Sequence, residues 1–276
     1  MKRSLVIAVW VSAVLLVPIN ASAAKPEKCL VVNKTSGGAF DDLQAAVAAA
    51  AAGDALKLKG TCSNTARGGI RIGKNLTITG QSNNGFGPAT VAFVSDGFTR
   101  SVAVRVDAGA NVTLTGLTIT RGSGSFDGGG ISVSGTLVLN DSLVSGNSAL
   151  GGGGIAVATT GDVTLNGTRV ANNFGLFGGG IQNQGVLTVN DSAIANNETS
   201  FDGGGISNYN GTVSITGSLI TGNRGVGIYT SGGSVAITDS SITGNMTCGG
   251  GEAIYNLGST LTIVNSVVTP NINTCA

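Results

Sequence analysis

The sequence predicts an all-β fold, a right-handed parallel β-helix with three sheets and about 25 residues per turn. Three observations predict it. The motif GGGI recurs at steps of about one turn, each copy is followed by two further short apolar segments, and an asparagine closes each unit. Units of this size cannot bury an apolar face alone, so they stack and form a continuous core. Chirality rules favour right-handed winding.

The GGGI motif supplies the first strand of each turn. Its glycines suit tight corners that other residues reach only with strain. Its isoleucine, or the equivalent residue of a degenerate copy, recurs every 22 to 26 residues. These residues are Ile131, Ile155, Ile181, Ile206, Ile228 and Ile254.

The second and third strands of each turn have apolar centres. Thr164-Leu165-Asn166 shows the alternation of a strand with one buried face. No segment inside the repeats has helical spacing. The second strands centre on Leu139, Leu165, Val189, Ile215, Ile237 and Ile263, and the third on Val144, Val170, Ile194, Ile220, Ile242 and Val268.

The closing asparagines are interpreted as a structural ladder rather than as ligand-binding residues. Side-chain amides on successive turns hydrogen-bond to one another in stacked sheets. The ladder comprises Asn147, Asn173, Asn197, Asn223, Asn245 and Asn271.

The chain divides into a signal peptide (residues 1–23), an N-terminal cap (24–60) and the parallel β-helix (61–276). A basic start, an apolar run over residues 5–17 and Ala21-Ser22-Ala23 predict cleavage near Ala23. We therefore expect a secreted protein, located in the extracellular space, at the cell surface or in the periplasm. No later stretch reaches the length of a membrane span.

The cap is predicted to contain one strand and one helix. The helix covers about residues 41–52, with Asp41 as its N-cap and Gly53 at its end. Such a helix would close the open core, whose exposed strand edges otherwise invite aggregation. Residues 81–100 are expected to form a longer excursion.

The cysteines lie in two pairs, one near each end of the mature chain. Export permits disulfides, and we predict Cys29–Cys62 and Cys248–Cys275. The second pair is 27 residues apart, about one turn, which brings the Cα atoms within disulfide range.

Composition excludes several classes of function. There are no histidines, which removes Ser-His-Asp and Cys-His catalysis and histidine-ligated zinc. The net charge is +1 and no lysine follows Lys74, so no basic stripe fits nucleic acid. We expect no cofactor, no bound metal and a monomer.

From Gly128 onward the pattern GGGI…TL…(D/G)S…(I/V)…N resembles the repeats of secreted right-handed β-helix proteins of pectate-lyase-like fold. The GG-x-I…N unit is also similar to repeats of the polymorphic outer-membrane-protein family. This resemblance implies a fold but no single activity, because the same scaffold hosts lyases, hydrolases, esterases and adhesins. The N-T-D, paired aspartate and G-H-G motifs of polygalacturonases are absent, so no family catalytic residue is carried over.

One candidate binding face surrounds two tyrosines on consecutive turns. The residue after each isoleucine points outward, which places Tyr229 beside Tyr255 as a platform suited to sugar rings. Amide and aromatic residues are expected near them. The full set is Gln182, Asn183, Asn208, Tyr209, Tyr229, Tyr255 and Asn256.

A second candidate is the loop edge before each GGGI. A catalytic site on a β-helix needs clustered carboxylates. Asp202 and Arg224 are predicted neighbours that form a surface ion pair. The loop-edge residues are Arg121, Asp127, Glu198, Asp202, Arg224 and Glu252.

Two other columns favour plainer interpretations. Asp141, Asp191 and Asp239 are interpreted as polar turn residues. A row of outward threonines is interrupted by Val138 and Ala236, so ice binding is the weaker interpretation of it. The threonines are Thr113, Thr164, Thr188 and Thr262.

The sequence therefore favours a non-catalytic exported module, adhesin-like or structural, that binds a polysaccharide or a surface protein. The alternative is a polysaccharide lyase or glycoside hydrolase with its site on the loop edge. A purely structural surface protein is the third hypothesis.

Overall fold

The computed structural model describes residues 28–64, 69–81, 89–93, 101–125, 127–248 and 251–273. The predicted signal peptide lies outside the described residues. Within them the chain forms 32 strands and one helix, which confirms the all-β prediction. No helix in this part of the chain is long and apolar enough to cross a membrane.

The strands build a parallel solenoid of about eight turns with about 26 residues each, close to the predicted period. Among the described strands, only β1 (Leu30–Asn33) pairs antiparallel, with β2 (Ala39–Phe40) and β3 (Ala55–Lys59). In the described residues, sheet 1 contains, in spatial order, β2 (Ala39–Phe40), β1 (Leu30–Asn33), β3 (Ala55–Lys59), β6 (Leu76–Gly80), β9 (Asn111–Thr115), β12 (Thr136–Asn140), β16 (Asp162–Asn166), β20 (Val186–Asn190), β23 (Thr212–Thr216), β26 (Ser234–Thr238) and β30 (Thr260–Val264).

The other two sheets complete each turn. Sheet 2 contains β4 (Thr61–Asn64), β7 (Ala89–Phe93), β10 (Leu117–Thr120), β13 (Leu143–Ser145), β17 (Arg169–Ala171), β21 (Ala193–Ala195), β24 (Leu219–Thr221), β27 (Ser241–Thr243) and β31 (Val267–Val268). Sheet 3 contains β5 (Ile70–Ile72), β8 (Val104–Val106), β11 (Ile131–Val133), β15 (Ile155–Val157), β19 (Ile181–Asn183), β22 (Glu198–Tyr209), β25 (Arg224–Ser231), β28 (Met246–Thr247) and β32 (Ile272–Asn273), with β14 (Ser148–Ala149), β18 (Phe174–Gly175) and β29 (Ile254–Leu257) beside this path.

The predicted apolar columns form the core. Ile131 pairs with Ile155, and Ile155 with Ile181, one turn apart along sheet 3. Leu139 pairs with Leu165 in the same way on sheet 1. All five side chains are fully buried. Each inward side chain therefore packs on its equivalents in the turns above and below, which gives short strands a continuous core.

The asparagine ladder is present inside the solenoid from Asn147 to Asn245, but Asn271 does not join it, because its Nδ2 donates to the Glu252 carbonyl and its Oδ1 has no partner among the described residues. Nδ2 of Asn147 donates to Oδ1 of Asn173 at 3.0 Å, and the same bond continues to Asn197, Asn223 and Asn245 at 2.9–3.0 Å. These amides are almost completely buried. Each rung also bonds backbone groups at the corner, so the ladder satisfies polar groups that water cannot reach.

The aspartate column marks the turn after each sheet 1 strand. Asp141, Asp191 and Asp239 have φ of 46°, 47° and 49°, and the intervening Gly167 and Gly217 have φ of 55° and 59°. Among residues with a side chain, aspartate and asparagine tolerate this left-handed conformation best. The geometry agrees with turn residues and explains why glycine alternates with aspartate.

The N-terminal end is covered by a helix, as predicted, but its bounds differ. Helix α1 spans Leu43–Ala49, shorter than the expected 41–52. Asp42 rather than Asp41 is the N-cap, because its side chain accepts the backbone N–H of Ala45 at 2.7 Å. Leu43 and Val47 are buried against the first turn.

A disulfide ties the cap to the solenoid. Cys29 and Cys62 are bonded, with their Cα atoms 4.5 Å apart, as predicted. Cys248 is also disulfide-bonded. Its predicted partner, Cys275, lies outside the described residues.

Candidate functional site

The two tyrosines predicted as neighbours stack on the outer face of sheet 3. Tyr229 and Tyr255 pair in register between β25 and β29. Their ring centroids are 5.7 Å apart and their planes differ by 10°. Because the rings face each other, a ligand reaches their edges and the outer face of Tyr255, which is 46% exposed. The stacking is confirmed, but the two rings do not offer side-by-side faces.

Tyr209 extends the aromatic group by one turn. Its ring centroid is 5.7 Å from that of Tyr229, with the planes at 52°. Its hydroxyl donates a hydrogen bond to the Asp202 carboxylate. Burial, reinforced by Asp202, raises the pKa of Tyr209 well above its ordinary value. Tyr209 therefore remains protonated and positions Asp202 rather than acting as a base.

Two amides expected beside the tyrosines lie inside the solenoid. Asn183 and Asn208 are fully buried, and Nδ2 of Asn183 donates to Oδ1 of Asn208 at 2.8 Å. Counting from the inward isoleucine, the residue two positions later also points inward, because side chains alternate along a strand. Placing Asn183 and Asn208 on the binding face was wrong.

The remaining two amides do not flank the tyrosines as a pair. Gln182 pairs with Ser207, and Ser207 pairs with Tyr229, so Gln182 is two turns from Tyr229. Asn256 is exposed, and its side chain bonds Ser259 at 2.9 and 3.1 Å to close the turn after β29.

The loop edge brings some of its predicted residues together. Glu198 aligns with Arg224 in register, and Nε of Arg224 is 3.7 Å from Oε1 of Glu198. The predicted Asp202–Arg224 ion pair is therefore wrong, because Glu198 occupies the aligned position and Asp202 is bound by Tyr209. Both members of the observed pair are more than half exposed, so the pair adds little stability.

The other loop-edge residues lie elsewhere. Asp127 bonds Arg105 at 2.5 Å, four turns before Tyr229. Arg121 occupies a left-handed corner of that same region, with φ of 62°. Glu252 is exposed in the loop before β29, and its backbone carbonyl accepts from Asn271 at 2.6 Å. The six residues do not converge on one carboxylate cluster.

A cleft joins the tyrosine face to the nearest part of the loop edge. It has a volume of about 490 Å³. Phe201 forms one wall, is 69% exposed, and stacks on Phe177 with centroids 5.6 Å apart. The cleft is lined by Thr199, Ser200, Phe201, Asp202, Arg224, Gly225, Val226, Tyr229, Met246, Thr247, Cys248 and Tyr255.

A difference in loop length explains the cleft. Eight residues lie between Asn197 and Ile206, four between Asn223 and Ile228, and eight between Asn245 and Ile254. The short loop lies between two long ones, and the β22–β25 register shifts at that point. Sequence reasoning missed Phe201, Val226 and Met246 as site residues, although the 22-residue step signals the gap.

The cleft offers contacts for binding and few groups for catalysis. Asp202 is its only lining carboxylate among the described residues, and Tyr209 binds it. Glycoside hydrolysis requires two carboxyl groups about 5–9 Å apart. No group of three or more His, Cys, Asp or Glu in the described part of the chain is arranged to hold a metal ion. Aromatic surface, hydroxyls and one guanidinium remain available for a ligand.

Comparison with protein-family models supports this architecture, whereas comparison with individual proteins gives no match. No curated protein and no solved structure matches the chain. The family described as "Right handed beta helix region" matches residues 94–242, more than half of the chain. Its description agrees with the predicted handedness, and the match covers the turns that lead to the cleft. The chain belongs to this right-handed β-helix family.

Proposed function

We propose that the protein is an exported, non-catalytic binding module, adhesin-like or structural, that holds a surface glycan in the cleft beside Tyr255. The observation that carries the proposal is the cleft itself, whose size lies within the ~300–1,000 Å³ of small-ligand sites. It combines exposed aromatic surface with a few polar groups.

The lining chemistry supports a sugar ligand over a purely apolar one. Phe201 and the outer face of Tyr255 offer apolar surface for a sugar ring. Arg224, Asp202 and neighbouring hydroxyls supply hydrogen bonds at the rim. A protein side chain is the other occupant that such a cleft accepts, and the binding assay separates the two.

The alternative, a polysaccharide lyase or glycoside hydrolase, has weaker support. Tyr209 stays protonated and cannot abstract a proton near neutral pH. A lone Asp202 lacks the second carboxylate of a hydrolytic pair. Incubation with acidic and neutral glycans, with and without calcium, is expected to give neither new reducing ends nor unsaturated products.

A glycan array tests the proposal directly. We expect the purified chain to bind a restricted set of oligosaccharides, and Tyr255→Ala or Phe201→Ala to weaken binding at least tenfold. Phe174→Ala is the matched control, because Phe174 is also an exposed aromatic but lies outside this cleft. Equal binding by all four proteins, or binding only to a protein partner, would remove the glycan from the proposal.

Export is part of the same proposal. The disulfide between Cys29 and Cys62 supports an oxidising compartment. Mass spectrometry of the protein recovered outside the cytoplasm should give an N-terminus near residue 24. A mature chain that retains residues 1–23 would contradict it.

A further inference from the structure

The outward face of sheet 1 is a second surface that the cleft does not use. Between β9 and β30 each strand points three side chains outward, which gives 21 positions in three columns. They are Asn111, Thr136, Asp162, Val186, Thr212, Ser234 and Thr260; Thr113, Val138, Thr164, Thr188, Ser214, Ala236 and Thr262; and Thr115, Asn140, Asn166, Asn190, Thr216, Thr238 and Val264.

This face is almost free of charge. Ten of its 21 positions are threonine, and only Asp162 is ionisable. Sheet 2 also has a single outward charge between β10 and β31, that of Arg169, but it exposes more apolar surface, since its outward residues include Leu219 and Val267, which are 40% and 58% exposed. Exposed sheet faces normally carry both signs of charge, so a neutral face over seven turns needs a different explanation.

The face is also regular. All six strand pairings from β9 to β30 run five residues without a register shift, in contrast to β22–β25. Equivalent side chains therefore repeat every ~4.8 Å along the solenoid and every ~6.7 Å along each strand. Six spacings give rows about 29 Å long.

Side-chain hydrogen bonds hold one edge of the face in place. Nδ2 of Asn166 donates to Oδ1 of Asn140 at 2.9 Å, and Nδ2 of Asn190 donates to Oδ1 of Asn166 at 3.0 Å. In the described part of the chain, the hydroxyls of Thr164 and Thr188 in the central column have no protein partner. These hydroxyls are available to a ligand, and β-branching restricts their rotamers.

We propose that this face binds ice. An ice surface is a rigid, neutral and periodic array of water. Threonine presents a methyl group that restricts the first water shell and a hydroxyl that bonds it, so a regular threonine array orders water periodically. Charged groups orient water around themselves, and only one lies on this face. Val138 keeps the γ-methyl and the shape of threonine, and Ser214 keeps the hydroxyl, which leaves Ala236 as the only central position with neither a γ-methyl nor a hydroxyl.

Thermal hysteresis and inhibition of ice recrystallisation test the proposal on the purified full chain. We expect the wild type to shape ice crystals and to depress the freezing point below the melting point. Thr164→Tyr and Thr188→Lys, which add a large side chain or a charge in the middle of the face, should abolish both effects. Thr221→Tyr on sheet 2 is the matched control and should retain them.

Far-UV circular dichroism and melting temperature establish that each variant is folded. A wild type without hysteresis, or a Thr221→Tyr variant as defective as Thr164→Tyr, overturns the proposal. Tyr255→Ala should leave ice activity intact while weakening glycan binding. The glycan-binding proposal and the ice-binding proposal are therefore tested independently.

Discussion

At the residue scale, each asparagine of the internal ladder satisfies several buried polar groups at once. Oδ1 of Asn197 accepts from the backbone N–H and Nδ2 of Asn173, both at 3.0 Å. Its own Nδ2 donates to Val170 O at 2.9 Å and to Oδ1 of Asn223 at 3.0 Å. No other short side chain supplies an acceptor and two donors in this geometry.

Asn197→Ala should therefore destabilise the fold by about 3 kcal/mol, because it leaves buried donors and an acceptor without partners. Urea denaturation followed by circular dichroism measures the loss. Asn190→Ala is the matched control, since the outer ladder is half exposed and water replaces the lost bond; it should cost about 0.5 kcal/mol or less. Similar losses in both variants would contradict the distinction between the ladders.

The alternation of aspartate and glycine at the sheet 1 turn has a steric and electrostatic cause. A Cβ atom at Gly167 would lie 2.6 Å from Oδ1 of Asp141, and one at Gly217 would lie 2.5 Å from Oδ1 of Asp191. A carboxylate on every turn would also place like charges about 4.8 Å apart.

Gly167→Asp is expected to lower the stability by about 1 kcal/mol, since it crowds Asp141 and adds a like charge. Asp191→Gly should leave stability unchanged or raise it, because glycine adopts φ near 47° without strain. Thermal melts at low and high salt check both. Salt should recover part of the loss in Gly167→Asp only.

At the scale of elements, a buried carboxylate fixes the N-terminal cap. Nδ2 of Asn33 in β1 donates to Asp54 at 2.6 Å, and the backbone N–H of Ala51 donates at 2.9 Å. The Asn33 side chain, followed by Ala51, holds the pKa of Asp54 below its ordinary value. The carboxylate thus joins β1 to the segment after α1.

This lowered pKa predicts acid sensitivity of the cap. Stability from the charged Asp54 is fully present above the unfolded pKa of about 3.9, and is lost as the pH falls through the lower folded pKa. The urea concentration at the unfolding midpoint of the wild type should therefore decrease as the pH is lowered below about 3.9. Asp54→Asn should be less stable than the wild type at pH 7, and its urea midpoint should change less with pH below pH 4. Asp41→Asn, in the exposed turn before α1, is the control and should behave as the wild type does. If the urea midpoints of the wild type and of Asp54→Asn changed with pH in the same way, the stabilising role of the charged Asp54 would be wrong.

The regular elements could be predicted from the sequence because every turn buries the same types of residue at the same positions. The inward columns, the asparagine ladder and the sheet number all follow from that period. Elements outside the repeat were harder: β7 lies within residues 81–100, which were expected to form an excursion, yet Val91 pairs in register with Ile119. No GGGI motif marks that turn.

The candidate site lies where the loop lengths differ from turn to turn, and only part of it could be predicted from the sequence. Tyr229 and Tyr255 were found because they occupy one column. The Glu198–Arg224 pairing and the cleft were missed because β22 has two register shifts against β25, between Glu198 and Gly203 and between Gly203 and Ile206. Counting back from Ile206 therefore misaligned Asp202 with Arg224. Loop lengths between asparagine and isoleucine would have given the correct alignment.

At the scale of the whole molecule, the two ends of the solenoid differ. Helix α1 and the antiparallel β1 cover the first turn, where Leu56 and Leu58 are buried. In the last described turn the inward residues Ile263 and Val268 are 42% and 37% exposed, although Ile237 and Ile242, which pair with them in the turn before, are fully buried. Since each turn contacts only its neighbours, local stability should fall toward the exposed end.

Hydrogen exchange followed by mass spectrometry should resolve this gradient. Amides of β30 to β32 are expected to exchange first, those of β12 to β20 last, and those of β3 and β6 to remain protected beneath the cap. Leu43→Ala, which removes a buried contact between α1 and the first turn, should accelerate exchange in β3 and β6 without changing β30. Uniform exchange along the wild-type chain would show that the solenoid opens as one cooperative unit, and the proposed turn-by-turn gradient would then be wrong.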